Sequence, residues 1–295
     1  MFTIRRAFAG TLASLTALCL LSPTAFADET ITFFDTVFLP TATTISVGET
    51  VTWEWSAGDH VLTSGVSSNP ADNPGALFEA TIDAASPTFS YTFALPGTYS
   101  FFDALNETGL VGTIIVEPEI YVVQVVDIAF TPQDVTIFVG DQVRWQWIEG
   151  IHTVTSGASS APADNPGALF DAPNTDGQPV FDFIFTEPGT VPYYCAPHEI
   201  FGMTGTVLVQ SLFLRGDTNR DGSIDVADPI ALLGHLFLGD PAPTCSDAAD
   251  ANDSGALDIA DAILALDFLF GGAGSLPAPF PAEGADRTAD TLLCL

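Results

Sequence analysis

The sequence contains no lysine. Six arginines stand against 37 acidic residues, a formal charge of −31 over 295 residues. A chain without a basic patch cannot replace the counterions of a phosphate backbone, so nucleic acid is excluded as a partner, and a polybasic membrane anchor with it. Cysteine and histidine are also scarce, four of each. That stock is too small for a zinc-finger array or for a two- or three-metal site built from many histidines. Long apolar runs are missing beyond the N-terminus, and the one there, residues 7–21, is short for a membrane span. What is present is 47% apolar residues with only 15% charged, enough to bury cores, over a length of two to three domains.

The N-terminus reads as an export signal. Arg5 and Arg6 precede the apolar run, and Ala25-Phe26-Ala27 supplies the small-x-small pattern before Asp28. Residues 1–27 are expected to be a cleaved signal peptide of the ordinary secretory kind, since Ile4 stands where a twin-arginine signal would carry a polar residue. Cys19 leaves with it, and three cysteines enter an oxidising compartment, whether periplasm, cell surface or medium. No transmembrane segment is expected in the mature chain.

The chain then repeats itself. Val51-Thr-Trp-Glu-Trp55 returns as Val143-Arg-Trp-Gln-Trp147, an offset of 92. At that offset His60 aligns with His152, Ala71–Phe78 with Ala163–Phe170, and Pro96-Gly97-Thr98 with Pro188-Gly189-Thr190. Two copies of about 90 residues are too few and too long for a solenoid. Each reads as all-β. Val135–Val139, Gln142–Trp147 and Val180–Phe185 are β-branched and aromatic, mostly alternating, and Val139-Gly140-Asp141 and Glu187-Pro188-Gly189 are turns. The paired tryptophans share one face of their strand and read as core.

The second copy ends in Tyr194-Cys195-Ala196-Pro197-His198, followed by Met203-Thr204-Gly205, with His152 upstream. One thiolate, two imidazoles and one thioether suit a mononuclear copper site. A buried inert Cys195, or a catalytic thiol with His198 as base, are the competing readings. Together with Phe130-Thr-Pro132, Val139-Gly140-Asp141 and His152-Thr-Val-Thr-Ser156, these residues make 118–210 resemble a plastocyanin-like type 1 blue copper cupredoxin. The resemblance implies a Greek-key sandwich of about eight strands and one-electron transfer. It implies His152, Cys195 and His198 as equatorial copper ligands and Met203 as the weak axial one. Residues 157–179 stand as an insertion.

The first copy, 28–117, resembles the same family without its site. His60 remains, but Asp103 replaces Cys195, Asn106 replaces His198, and Leu110 replaces Met203. A blue site is excluded there, though His60, Asp103 and Asn106 could hold a harder metal weakly. Extra coppers of the kind oxidases and nitrite reductases carry between domains need further histidines. After the blue site only His60 and His235 are left, with no His-x-His pair. The chain is therefore expected not to be an enzyme.

The remaining residues, 211–295, hold two calcium-type loops. Asp217, Asn219, Asp221, Ser223, Asp225 and Asp228 occupy loop positions 1, 3, 5, 7, 9 and 12, with Gly222 at 6. Asp250, Asn252, Ser254, Ala256, Asp258 and Asp261 repeat them at an offset of 33, with Gly255 at 6. Position 7 offers a backbone carbonyl. Helical runs follow, Pro229–Leu238 and Ala262–Phe270. One loop and one helix per half resembles a dockerin type I pair over 211–272, which implies two calcium ions and a docking partner. Val226-Ala227 and Ile259-Ala260 lack the hydroxyl pair used toward cohesins. Cys245 and Cys294 bracket the second loop and are expected to form a disulfide.

The whole is expected to be mainly β: two tandem cupredoxin sandwiches and a small α-helical calcium domain. The expected function is an exported copper electron carrier with a redox partner protein, docked through calcium. The alternative is a non-redox copper-binding protein or a calcium-dependent surface scaffold.

Overall fold

The computed structural model describes residues 29–106, 111–272, 274–288 and 290–294. The expected signal peptide, 1–27, and Leu110 lie outside the described residues. The protein is mainly β, with sandwich-like pairs of sheets.

Residues 29–117 form strands β1 (Glu29–Phe34), β2 (Val37–Leu39), β3 (Ala42–Ser46), β4 (Thr50–Trp55), β5 (His60–Ser64), β6 (Glu79–Ile82), β7 (Thr88–Thr92), β8 (Gly97–Asp103) and β9 (Val111–Glu117). They make a four-stranded sheet, β2-β1-β4-β7, and a five-stranded one, β3-β9-β8-β5-β6. Residues 120–210 form β10 (Ile120–Val126), β11 (Ala129–Thr131), β12 (Asp134–Phe138), β13 (Gln142–Trp147), β14 (His152–Ser156), β15 (Asp171–Asn174), β16 (Val180–Ile184), β17 (Gly189–Tyr194) and β18 (Thr204–Gln210). Their sheets run β11-β10-β13-β16 and β12-β18-β17-β14-β15, the same order strand for strand.

Alternation sets which face is buried. In β13, Val143 and Trp145 point inward while Arg144 points out and pairs with Asp182 across the strand, 2.7 Å. Trp145 packs between Phe170, Phe181 and Tyr193, as Trp53 does among Phe78, Phe89 and Phe101. Trp55 and Trp147 are half-buried and donate Nε1–H to the carbonyls of Gly58 and Gly150. The second sandwich has nine strands rather than about eight. The extra one, β15, lies inside the segment expected as an insertion. It pairs with β14 from His152↔Asn174 to Thr155↔Asp171 and tolerates Pro173 because it is an edge.

The two sandwiches touch at Pro96 and Gly140. Gly140 has φ +95°, and a Cβ there would come within 2.7 Å of Pro96 Cδ, so both the turn and the contact require glycine.

Beyond Gln210 the expected α-helical domain reduces to short helices: α1 (Ala227–Leu238), α2 (Ser246–Ala249) and α3 (Ile259–Leu266). The second helical run ends earlier than the sequence suggests, because Asp267–Gly271 widens into a π turn before Gly272 at φ +85°. Leu232, Ala249 and Ala262 form its small core. Cys245 and Cys294 are disulfide-bonded. The C-terminal strap also reaches the second sandwich. Cys294 N–H donates to Gln210 Oε1 at 3.0 Å. Arg287 makes two bonds to the buried Asp141, at 2.9 and 3.1 Å, and a third to Tyr121 Oη. Among the described residues no helix is long and apolar enough to cross a membrane.

Candidate metal centre

Cys195 lies at the end of β17, buried, and is a free thiol. His198 sits one turn on, in the 3₁₀ segment Ala196–Phe201, and His152 opens the neighbouring strand β14. The three bring ligand atoms within 4.8 Å of one another. Cys195 Sγ lies 3.7 Å from His152 Nδ1 and 3.4 Å from His198 Nδ1. Met203 is buried in the same cluster as Cys195. Its carbonyl accepts Cys195 N–H at 3.0 Å, and its own N–H donates to the His198 carbonyl at 3.3 Å. The ligand loop is thus closed on itself by backbone bonds.

The ring orientations are fixed from behind. His152 Nε2 donates to the Glu149 carbonyl at 2.7 Å, which leaves Nδ1 for the thiol side. Gly150 has φ +91°, and a Cβ there would collide with His152 Nε2, so the glycine makes room for the ring. Burial holds the His152 pKa down and keeps the imidazole neutral, despite the Glu149 carbonyl pulling it up. Burial also raises the Cys195 thiol, opposed by the Thr153 and His198 backbone. Thr153 N–H donates to Sγ at 3.5 Å, and Ala196 N–H to Thr153 Oγ1 at 2.9 Å. A soft sulfur facing two imidazole nitrogens, with the Met203 thioether buried in the same cluster, fits copper in either oxidation state. It does not fit calcium or magnesium, which take oxygen.

The corresponding place in the first sandwich is filled by hydrogen bonds. His60 and Asp103 are fully buried. His60 Nδ1 meets Asp103 Oδ2 at 2.8 Å, and Asn106 Nδ2 donates to the same oxygen at 2.9 Å. Val61 N–H, the counterpart of Thr153 N–H, donates to Asp103 Oδ1 at 3.0 Å, and Leu105 N–H joins it at 3.1 Å. Burial pushes Asp103 up, but these four donors outweigh it and hold its carboxyl below the usual range.

In the C-terminal segment both loops are shaped by their own acids. Asp221 N–H and Gly222 N–H donate to Asp217, at 3.1 and 2.9 Å; Ser254 N–H and Gly255 N–H do the same to Asp250. Asp228 spans its loop from Asn219 N–H to Asp225 N–H, as Asp261 spans Asn252 N–H and Asp258 N–H. Asp258 caps the helix that follows through Ala260 N–H, and Asp225 accepts Ala227 N–H at the start of α1. Ser223 N–H bonds Asp221, and the Ala256 carbonyl accepts Ser254 Oγ at 3.3 Å. Asp217, Asp228, Asp250 and Asp261 are buried. Desolvation raises Asp228, and raises Asp261 to about 6 with Asp250 adding to it. The Oδ1 atom of Asn252 is buried without a partner among the described residues. Paired buried carboxylates and an orphaned amide oxygen are what an oxygen-seeking cation would satisfy.

The sequence reading passed over Arg215, Asp247, Asp286, Arg287 and Asp290. Arg215 is fully buried and ties Asp286 at 2.6 Å, Asp253 at 3.1 Å and the carbonyls of Asp247, Asp250 and Ala278. Desolvation, with Asp290 and Asp286 nearby, pushes Asp247 up to about 7. These residues sit at no fixed spacing, so no local pattern marks them. His235, unassigned by sequence, faces the Asp240 carbonyl through Nδ1 at 3.1 Å.

A family model described as copper binding proteins of the plastocyanin/azurin family matches residues 121–210. A plastocyanin from Scenedesmus fuscus is 34% identical over 87 residues, which cover 28% of this chain and 88% of the relative. Among solved structures, an oxidised plastocyanin from Dryopteris crassirhizoma is 26% identical, covering 30% of this chain and 100% of that one, with a TM-score of 0.27. A mutant amicyanin in the Cu(I) form is 24% identical, covering 31% and 82%, with a TM-score of 0.26. Through residues 121–210, where the buried thiol and its two imidazoles lie, this chain belongs to the plastocyanin/azurin family of copper-binding proteins.

Proposed function

We propose that the protein is an exported carrier of single electrons, with one type 1 copper centre in its second sandwich. The observation that carries this is Cys195 Sγ facing the Nδ1 atoms of both His152 and His198, with Met203 buried in the same cluster. Copper held there supplies a one-electron change between Cu(I) and Cu(II). The chain's own part is to hold the donors still. His152 is fixed by the Glu149 carbonyl, and Cys195 by Thr153 N–H and the closed loop. A site that scarcely moves between oxidation states keeps the reorganisation cost low.

His198 is half-buried and is the donor nearest solvent. Around it, Ile200 is 86% exposed, Phe201 63% and Ile151 73%, an apolar rim suited to brief contact with a redox partner. The surplus of acids favours a partner of basic surface. Substrate turnover is not part of this reading.

The first sandwich, 28–117, is in this reading a duplicate of the copper domain without copper. Identical strand order and the Val61–Asp103 and Thr153–Cys195 counterparts support it. Residues 211–295 act as a dockerin-like module with one calcium per loop, supported by the buried acids at positions 1 and 12 and the orphaned Asn252 Oδ1. Its docking partner is a separate protein of the compartment to which residues 1–27 send the chain.

Voltammetry of the copper-loaded chain tests the carrier reading. It predicts a reversible one-electron wave that Cys195→Ser abolishes. Copper bound with no reversible wave would overturn it in favour of storage.

A further inference from the structure

Three carboxyl groups outside the ligand positions of the two loops meet at one point. Asp247, in α2, and Asp286 and Asp290, in the C-terminal strap, each bring an oxygen within 4.8 Å of the other two. Asp286 is well supplied. Arg215 Nη2 donates to its Oδ2 at 2.6 Å, and Thr288 N–H and Oγ1–H donate to its Oδ1 at 2.8 and 2.6 Å. Asp290 is exposed and accepts Leu292 N–H through Oδ1 at 2.7 Å.

Asp247 differs from both. It is 2% exposed, and among the described residues no donor reaches its carboxyl group. Arg215 passes close by but spends its Nη1 on the Asp247 carbonyl, at 3.3 Å, and its Nη2 on Asp286 and Asp253. A buried carboxyl aimed at two other carboxyls with no donor of its own implies a partner that is not part of the chain. The surrounding charge says what kind. Asp250, Asp253 and Asp290 form a second such group sharing Asp290. Five acids therefore gather around one guanidinium, and the deficit is positive charge. All the donors are oxygen, which excludes soft metals and leaves a hard divalent cation. Exposed Asp290 provides the way in.

We propose that Asp247, Asp286 and Asp290 form a third divalent-cation site, distinct from the two loops, with calcium as its ligand. The site has a structural consequence. Asp286 and Asp290 flank Arg287, which grips Asp141 of the copper domain. A cation joining the strap to α2 therefore holds in place the segment that joins the two modules.

The test uses the full chain, stripped with chelator and titrated with calcium at pH 7.5 by calorimetry and equilibrium dialysis. The wild type is expected to bind one ion per chain more than Asp247→Asn, a variant of nearly the same shape. Asp290→Asn, at an exposed position, should lose the same ion. Asp228→Asn should instead lose the ion of its own loop and keep the third. Asp247→Asn should also melt higher than wild type in chelator, where it removes an unmet charge, and gain less from added calcium. Equal stoichiometry in wild type, Asp247→Asn and Asp290→Asn would overturn the site, and if Asp228→Asn still lost an ion the loops would stand without it. A rise in melting temperature of Asp247→Asn that is the same with and without calcium would assign the position to a proton and overturn it too.

Discussion

Asp103 and Cys195 occupy corresponding positions and solve the same problem by different means. Asp103 ends β8 and Cys195 directly follows β17, each next to a buried histidine, and each takes the N–H that follows that histidine. Cys195 leaves its remaining valence to a metal. Asp103 uses all of its own on His60, Asn106, Val61 and Leu105. Asp103→Ala would take the partner from buried His60 Nδ1 and from Val61 N–H, while the exposed Leu105 and Asn106 donors turn to water, at a cost of about 1–3 kcal/mol. Hydrogen exchange checks this locally, with β5 and β8 losing protection while β14 and β17 keep theirs; unchanged protection at β5 contradicts it. The pH dependence has a definite sign. Because the folded value of Asp103 is depressed, its contribution is complete above the unfolded carboxylate range of about 3.9 and is lost as pH falls through the lower folded value. The identity of these residues was legible in the sequence because an offset of 92 aligns them. That Asp103 closes the site by four bonds was not, since two of its donors are main-chain groups.

Strands and loops were the most readable elements. Val143, Trp145 and their neighbours alternate cleanly, and β13 starts and stops where the sequence puts it, at Gln142 and Trp147. β15 escaped notice because Asp-Ala-Pro-Asn has little strand character, and only pairing with β14 makes it one. The second helix was overextended because its apolar residues continue past Leu266, whereas the backbone has already widened. The two acidic loops and α2 allow an element-scale prediction. Asp261 is raised to about 6 and Asp247 to about 7. A raised carboxyl binds its proton more tightly in the folded state. Without calcium, stability is therefore fully present near pH 4 and falls as pH rises toward 7. With calcium the charged forms are stabilised, and the fall should disappear. Thermal melts at pH 5 and pH 7.5, with chelator and with calcium, check it; a chelated protein more stable at pH 7.5 than at pH 5 contradicts it.

At the scale of the molecule, the contacts between modules gather at one end of the copper domain. Asp141 and Gly140 open β13, and the loop carrying Glu149 and His152 follows its far end, roughly 20 Å away at ~3.3 Å per residue. Pro96 of the first sandwich and Arg287 of the strap both approach the Asp141 end. Among the described residues, Ile151, Ile200 and Phe201 at the opposite end stay exposed, as the proposed carrier role requires. Arg287 is the residue that most directly couples the C-terminal module to the copper domain, and nothing in its sequence neighbourhood announces it, since its partner lies 146 residues away. Arg287→Ala should cost about 1.5–3 kcal/mol by leaving Asp141 without its charged donors. Arg287→Lys should recover part of this, because it keeps the charge and loses the fork. Denaturant unfolding of the full chain measures both, and an Arg287→Ala midpoint equal to wild type contradicts the coupling.

The central claim is a single copper centre at Cys195, and a copper(II) titration followed by absorption tests it most directly. An intense thiolate-to-copper band should grow to an end point at one copper per chain, persist in His60→Ala, and be absent in Cys195→Ser. A protein that stays colourless, or that keeps its colour in Cys195→Ser, would contradict the account.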